Sequence, residues 1–489
     1  MAKKREQELR YLQMPLPEGQ KTAKLTKIDW SGLNKNKVMD TGVLSAESNI
    51  STDGAPYLTP SPKRIQVSGK YTNPISLFGF DGFLLVVYRD GDQIKIDYKT
   101  DDNTYTGVLK SSGATAEDEI PRSIVKFNVY DTPTDPVDGK YVKKLLIFPD
   151  KKSMDFEISA DFTPADMTGV PDLKYVCVYL SRLFGVDNDR IYASGFNDYS
   201  NWNLDTIDEA SANNAWVSPA QSNVKANGSF TGITAFSNHV VCFKRNYMHE
   251  LYNTKNPFRI QDIYAEGCID NRSIQEVDGN LIFAGEDNIK VYTGGNPNGI
   301  GYPLGIRKLE KAVAGTDNKK YYLYCHTDKK RHNLFVFDTV SGQWAEESID
   351  FDVLSFAYNL NGMYLLGSDG YIYRMDTENY NHAWYAETDL YLGKSIDIKH
   401  VQKIQILAEM EAGSNLSAYL LYDDDVFDEN TSHKVYEAST DIHRYVTIRV
   451  VPRKTANYGF KLHICGYGFV KLYQMEIKMT GGGEWNASE

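Results

Sequence analysis

The sequence predicts an all-β fold, a β-propeller of about six or seven blades followed by a C-terminal β-sandwich. Three observations predict it. Aromatic residues make up 12% of the chain, with 34 Tyr, and large rings favour the pleated surface of a strand. Short apolar runs are broken by Asp, Asn and Gly, with no long stretch at the i, i+3, i+4, i+7 spacing of a helix. A hairpin pattern recurs along the chain and stops after Tyr380.

The recurring unit is an apolar strand, a small polar turn, and a second strand carrying Ile or Val and then Tyr. It reads Leu183-Phe184-Gly185-Val186-Asp187-Asn188-Asp189-Arg190-Ile191-Tyr192 in one copy. Leu281 to Tyr292 and Met363 to Tyr373 are two more. Looser copies run from Phe83 to Tyr98 and from Val240 to Tyr252, and Leu334 to Trp344 gives a further strand and turn. Asp-Asn and Asp-Gly pairs accept the left-handed backbone that a two-residue hairpin needs. The second strands fall near residues 95, 191, 250, 290, 336 and 372, with another candidate at Leu145 to Phe148. Most gaps lie near the roughly 40–50 residues of a four-stranded propeller blade. A blade cannot bury both faces alone, and stacking around an axis buries them against neighbours. A string of β-sandwiches is the competing architecture, and the repeated hairpin favours the propeller.

The expected organisation is an N-terminal arm at 1–25, a propeller at 26–382, a sandwich at 383–480 and a flexible tail at 481–489. Within the third unit, Lys403 to Leu407, Leu416 to Tyr422, Tyr445 to Val451, Gly459 to Ile464 and Val470 to Ile477 read as strands. Several alternate cleanly, as strands with one buried face do.

Composition narrows the function. The chain has 489 residues, 53 Lys plus Arg and 65 Asp plus Glu, for a formal charge of −12. That argues against a general nucleic-acid binder, which needs a basic surface. Apolar runs reach six residues, as in Phe83 to Tyr88, against the roughly 20 of a spanning helix. The opening MAKKREQELR is basic, but no apolar segment follows it, so it does not read as a secretory signal. Five scattered Cys form no framework and suit a reducing site of synthesis.

Catalytic patterns fail on inspection. His249-Glu250 opens a zincin-like pair, but position 253 is Asn where the second His must stand. Cys325 and His326 are adjacent, so an extended strand points them to opposite faces. Gly294 to Gly301 is Gly-rich but lacks the Lys-Ser/Thr of a phosphate loop, and reads as a loop between blades. The acidic run Asp423 to Asp428 has oxygens that suit calcium but lacks the central Gly of a calcium loop. Asp187-Asn188-Asp189 is explained by a hairpin turn. The sequence therefore gives no catalytic residue, no cofactor and no metal ligand set, and the expectation is a protein that is not an enzyme.

Three stretches together resemble one family. The first runs from Trp30-Ser31-Gly32-Leu33-Asn34 through Gly42 to Ile50 and Gly54 to Leu58, ending in Pro62-Lys63-Arg64. The second is Arg182-Leu183-Phe184-Gly185 with Arg190 to Ser194, Asn197-Asp198 and Asn201-Trp202. The third is Val451-Pro452-Arg453 with Tyr458 to Ile464 and Gly466-Tyr467-Gly468. The arrangement resembles tail hub or nozzle proteins of tailed bacteriophages, of the packaged-DNA stabilisation kind found in short-tailed and crAss-like phages. Ile65 follows Arg64 where Pro-Gly is common in that family, which leaves the start of the first blade open.

The resemblance implies a structural virion protein made in the host bacterial cytoplasm. It implies a homo-oligomeric ring, commonly a hexamer, below the portal and its adaptor and beside other tail proteins. Genomic DNA then passes through the channel during ejection without sequence-specific binding, and no membrane span is involved. An acidic lumen would let the duplex slide. The motif residues are Arg182, Tyr192, Asn201, Trp202, Pro452 and Arg453, and for Arg182, Asn201 and Trp202 there are two readings, inter-subunit contact or internal structure. The structural reading has Trp202 and Tyr192 plug a blade junction while Asn201 closes a turn. The arm, with Lys3, Lys4, Arg5 and Arg10, either docks on a neighbour or is a disordered tail.

A carbohydrate-binding or carbohydrate-cleaving propeller is the alternative function.

Overall fold

The computed structural model describes residues 24–481 except 37–41, 114–120, 131–140, 157–161, 204–212, 219–227, 254, 257, 265, 329, 360–361, 376–377, 392–398, 424 and 451–458. The regular structure among the described residues is antiparallel strand, with a few three-residue 3₁₀ turns. The protein is a β-propeller joined to further sheets. Seven four-stranded sheets follow one another along the chain, and they are termed blades 1 to 7 here. Among the described residues their strands lie within 74–110, 123–166, 175–217, 230–264, 275–299 and 309–347, and for the seventh within 353–374 together with 65–66.

The hairpins at 83–98, 183–192, 240–252, 281–292 and 363–373 are each the middle pair of strands in one blade, whereas Leu334 to Trp344 spans the third and fourth strands of blade 6. The Tyr-bearing strands become Gln93–Lys99, Ile191–Ala193, Tyr247–Tyr252, Ile289–Tyr292 and Ile372–Arg374, and the run near 336 becomes Asn333–Asp338. Leu145 to Phe148 belongs to the second strand of blade 2, Tyr141–Phe148.

Apolar clusters between blades complete the ring. Leu85 and Ile96 of blade 1 pack on Leu145 and Ile147 of blade 2. Phe127 and Leu146 of blade 2 meet Val176 and Leu183 of blade 3. Similar layers join blades 3 and 4, 4 and 5, 5 and 6, and 6 and 7. The last layer brings Leu366 and Ile372 of blade 7 against Leu84 and Val86 of blade 1. Each fully buried aliphatic side chain in such a layer is worth about 1.5–3 kcal/mol. The first strands of adjacent blades crowd towards the axis. A Cβ at Gly79 in blade 1 would lie 2.1 Å from the Tyr358 carbonyl oxygen in blade 7, so only glycine fits there.

Closure uses a strand from before blade 1. Ile65–Gln66 pairs with Ile372–Arg374 and forms the outermost strand of blade 7. The backbone of blade 7 is thereby tied to the segment that leads into blade 1.

The remaining strands form a short pair, Ile50–Ser51 with Thr59–Pro60, and two further sheets. One has the order Lys24–Ile28, Val470–Gly481, Lys399–Met410, Arg444–Val450. The other has the order Leu44–Ser48, Ala383–Thr388, Phe460–Tyr467, Ser414–Tyr422, His433–Thr440. Their inner faces share one core, including Leu44, Ile404, Ile406, Leu416, Leu462, Ile464, Leu472 and Ile477.

Two features differ from the sequence reading. The boundary at 26 placed residues 26–48 in the propeller. Lys24–Ile28 and Leu44–Ser48 instead pair with C-terminal strands, with Ile28 opposite Met475 and Ser48 opposite Tyr385. A strand pattern identifies a strand but not its distant partner. The Gly-rich stretch read as an inter-blade loop contains Asn298–Gly299, the fourth strand of blade 5, paired with Lys290 and Val291. Two residues of edge strand leave no periodicity to read.

The two bodies are sutured at blade 6. The Leu33 amide donates to the Trp344 carbonyl at 2.9 Å. The Glu346 amide donates to Glu47 Oε1 at 2.7 Å, and the Ser348 amide to Asn49 Oδ1 at 2.8 Å. Glu47 is 1% exposed, and burial pushes its carboxyl up to about 8 against the opposing Glu346 amide bond.

Candidate functional site

One end of the ring carries the blade-to-blade connections and the turns between second and third strands. A polar cluster lies there between blades 6 and 7. Tyr324 and His326 are two apart on the strand Lys320–Thr327, so alternation puts both on the blade 7 side. Cys325 between them faces the other way, into the layer with blade 5. Burial pushes its thiol up to about 12, which leaves it an inert core group.

His332 ends the turn before the third strand of blade 6, and Asp352 sits just before the first strand of blade 7. Tyr324 Oη donates to Asp352 Oδ1 at 2.6 Å. His326 Nε2 and His332 Nδ1 each lie 2.9 Å from Tyr324 Oη. The same nitrogens lie 3.1 Å and 3.3 Å from Asp352 Oδ1. Lys311 Nζ is 3.5 Å from Asp352 Oδ2. Burial raises the Asp352 carboxyl, but the Tyr324 hydrogen bond, the Lys311 charge and His326 outweigh it and hold it at about 2. Burial and then the Asp352 hydrogen bond push the Tyr324 phenol well above its ordinary range.

A second feature is the outer face of the five-stranded sheet, a concavity of about 1310 Å³. His463 lies between two rings there, stacked on Phe427 at 3.6 Å and on Tyr385 at 5.4 Å. Its Nδ1 is 3.1 Å from Glu387 Oε2, and Lys461 Nζ is 3.6 Å from Glu387 Oε1. Burial raises the Glu387 carboxyl, while the His463 hydrogen bond and the Lys461 charge lower it more, so the net shift is downward. Val426 projects beside this face and is 84% exposed.

The sequence motif residues fall in blade 3. Arg182 is fully buried, and its Nη1 donates to the carbonyls of Ser194 at 2.5 Å and Asn214 at 2.9 Å. Its guanidinium also lies over the rings of Phe196 and Phe258, and burial lowers its pKa. Tyr192 Oη donates to Asp187 Oδ2 at 2.9 Å, while Asp187 Oδ1 accepts the amides of Asp189 and Arg190 at 2.6 Å. Asn201 accepts the Gly195 amide on its carbonyl at 2.8 Å and the Asn203 amide on Oδ1 at 3.1 Å. Trp202 packs in the layer between blades 2 and 3 and donates its indole N–H to the Tyr199 carbonyl at 2.8 Å. The structure does not bring these four into one pocket, since Arg182 faces blade 4 through Phe258 and Trp202 faces blade 2. Pro452 and Arg453 lie outside the described residues, as do the basic arm and the last eight residues.

Other sequence candidates are placed as follows. His249 and Glu250 point to opposite faces of their strand, to Asp262 at 2.7 Å and to Tyr292 respectively. In the acidic run, Asp423 Oδ1 accepts the Gly459 amide at 3.0 Å and Asp428 Oδ1 the Asn430 amide at 2.9 Å. The Asp187–Tyr192 clasp recurs. Asp317 Oδ2 takes Tyr322 Oη at 3.1 Å, and Asp369 Oδ2 takes Tyr373 Oη at 2.6 Å. The Tyr surplus is thus explained in part by phenols that lock turn carboxylates. The sequence reading missed the His326, His332 and Asp352 cluster, because Asp352 joins it across a blade boundary.

No family model matches the chain, and no curated protein matches it. Among solved structures it is similar to the extracellular domain of a one-component system from B. thetaiotaomicron, at 11% identity and a TM-score of 0.44, covering 86% of this chain and 60% of that one. The chain therefore spans about 60% of the length of that relative. It is also similar to the WD40 domain of Toxoplasma gondii coronin, at 8% identity, a TM-score of 0.41, and 68% and 90% coverage of the two chains. BamB from Moraxella catarrhalis matches at 9% identity and a TM-score of 0.33, covering 71% of this chain and 100% of that one. No function passes from these likenesses to this chain.

Proposed function

We propose that the chain is a structural, non-enzymatic virion subunit of a tailed bacteriophage, assembling as a ring in the tail nozzle below the portal and adaptor. Its ring lines the path of the genome, retains the packaged DNA and releases it at ejection. The observation that carries the reading is the resemblance of the three sequence stretches to tail hub and nozzle proteins. The geometry is compatible with the role. The propeller is closed by a strand that precedes blade 1 in the chain, and blade 6 is sutured to the N-terminal segment by four backbone-donated hydrogen bonds, including the Asn49 amide to the Glu346 carbonyl, which suits a part that bears load. The charge of −12 suits a conduit that DNA traverses without sticking. Apolar side chains stand exposed on both bodies, among them Tyr302 at 69%, Val340 at 83% and Ile442 at 68%, and these are available for subunit contacts.

Size-exclusion chromatography with light scattering tests the proposal, on the protein alone and mixed with a portal–adaptor fraction. A ring, or a stable complex with the fraction, is expected. A strict monomer in both conditions contradicts it. A second reading, a sugar-binding module, draws on the aromatic concave face around Tyr385 and Phe427. Saturable glycan binding by a strict monomer, lost in Tyr385→Ala, would favour that reading.

A further inference from the structure

We infer that His326, His332 and Asp352 form a binding site for a divalent transition-metal ion, of the zinc or cobalt type, that pins blade 6 to the start of blade 7. The three ligand atoms, His326 Nε2, His332 Nδ1 and Asp352 Oδ1, lie within 4.8 Å of one another. A tetrahedral ion with bonds of about 2.0–2.1 Å sets its ligand atoms about 3.3 Å apart. Two of the three edges, the 3.1 Å and 3.3 Å separations from the imidazole nitrogens to Asp352 Oδ1, match that spacing, and the third lies within 4.8 Å.

The donor set selects the metal class. Two imidazoles and one carboxylate suit borderline ions, whereas magnesium and calcium take oxygen ligands. Tyr324 Oη lies 2.6 Å from the same Asp352 oxygen and 2.9 Å from each of the two ligand nitrogens, too close for a further ligand of one ion, so the ion sits on the opposite side of the three donor atoms. Tyr324 acts as the outer partner that orients the carboxylate. Lys311 Nζ, 3.5 Å from Asp352 Oδ2, occupies the other oxygen and leaves the carboxylate one lone-pair face for a metal. The side chains are 14% exposed for His326, 36% for His332 and 34% for Asp352, so an ion can enter from solvent and a water can complete the shell. The second His–carboxylate cluster, His443 with Glu409 and Glu411, spreads to 3.9 Å and stands on an exposed sheet face. It serves as the control.

The test uses the full chain, stripped with a chelator and titrated with Co2+, read by visible d–d absorption and by melting temperature. The expected result is one saturable equivalent, displaced by Zn2+, with a melting temperature that rises with metal. His332→Ala and Asp352→Asn should weaken binding beyond the roughly 10–100-fold that loss of an outer-shell partner causes. Tyr324→Phe should fall within that range, and His443→Ala should change nothing. Should His332→Ala fail to fold by circular dichroism, His332→Gln is read in the same way. Absence of a saturable equivalent, binding unchanged in the His332 variant, or binding lost in His443→Ala would each overturn the inference.

Discussion

The propeller and the sandwich are both antiparallel β-structure, yet they are held by contacts of very different range. Blade 1 lies on blade 2 and blade 2 on blade 3, so most layers join residues a few tens of positions apart. The sandwich joins the two ends of the described chain. Trp30 donates its indole N–H to the Tyr473 carbonyl, 443 residues away, at 2.8 Å. Among the described residues the propeller layer between blades 7 and 1 also joins distant positions, with the Leu77 amide donating to Ser355 Oγ, 278 residues away, at 2.6 Å. The difference teaches that the propeller is a sum of local units with one distant closure, whereas the sandwich exists only once the whole chain is folded.

The largest effect should come from removing the distant strands. Deleting residues 24–48 takes one edge strand from each sandwich sheet while sparing Ile65–Gln66. Hydrogen exchange should show amides across 383–481 losing protection while those across 74–264 keep theirs, since Leu33 and Glu47 reach only blades 5 and 6. Equal loss in both regions would break the distinction.

Core truncations come next. Trp202→Ala between blades 2 and 3 should cost about 3–5 kcal/mol, and Leu472→Ala in the sandwich about 2–5 kcal/mol. Under urea with exchange readout, the first should loosen the adjoining blades and the second the sandwich. Unchanged stability in Trp202→Ala with loss of ring assembly would assign Trp202 to a subunit contact.

The suture between the bodies gives a pH signature. Burial raises the Glu47 carboxyl to about 8, against 4.5 for a free side chain. The folded state therefore keeps its proton where the unfolded chain has lost it. The stabilising contribution is full below about pH 4.5 and drains away as pH rises towards about 8. Glu47→Gln should flatten that decline in thermal melts at pH 5, 6, 7 and 8. An unaltered pH profile in the variant would show that Glu47 does not hold its proton.

The smallest effect belongs to the turn clasps. Tyr192→Phe and Tyr373→Phe each remove one phenol–carboxylate bond and should cost about 0.5–1.5 kcal/mol. A much larger loss would mean that the clasps nucleate their blades.

The same contrast explains what the sequence discloses. The middle hairpins were legible because strand, turn and strand are consecutive, and Asp187 with Tyr192 shows why their residues recur. Fourth strands such as Trp216–Val217 and Asn298–Gly299 are two residues long, too short for alternation to register. Lys24–Ile28 and Leu44–Ser48 were absorbed into the propeller because nothing local names a partner beyond residue 380. At the candidate site, the opposite facing of Cys325 and His326 was readable from strand alternation. The meeting of His326 with Asp352 was not, since it depends on how blade 7 seats against blade 6. Arg182 stands out in the sequence as a motif residue, but its burial beneath the Ser194 and Asn214 carbonyls is a property of the folded blade.

The claim that matters most is that this body is a building block of a ring. Electron cryomicroscopy of the protein reconstituted with a portal–adaptor complex tests it directly. The account predicts a closed ring of identical subunits around a continuous channel, each showing a propeller and a sandwich, with an acidic channel wall. Isolated monomers beside an undecorated portal–adaptor complex would contradict it.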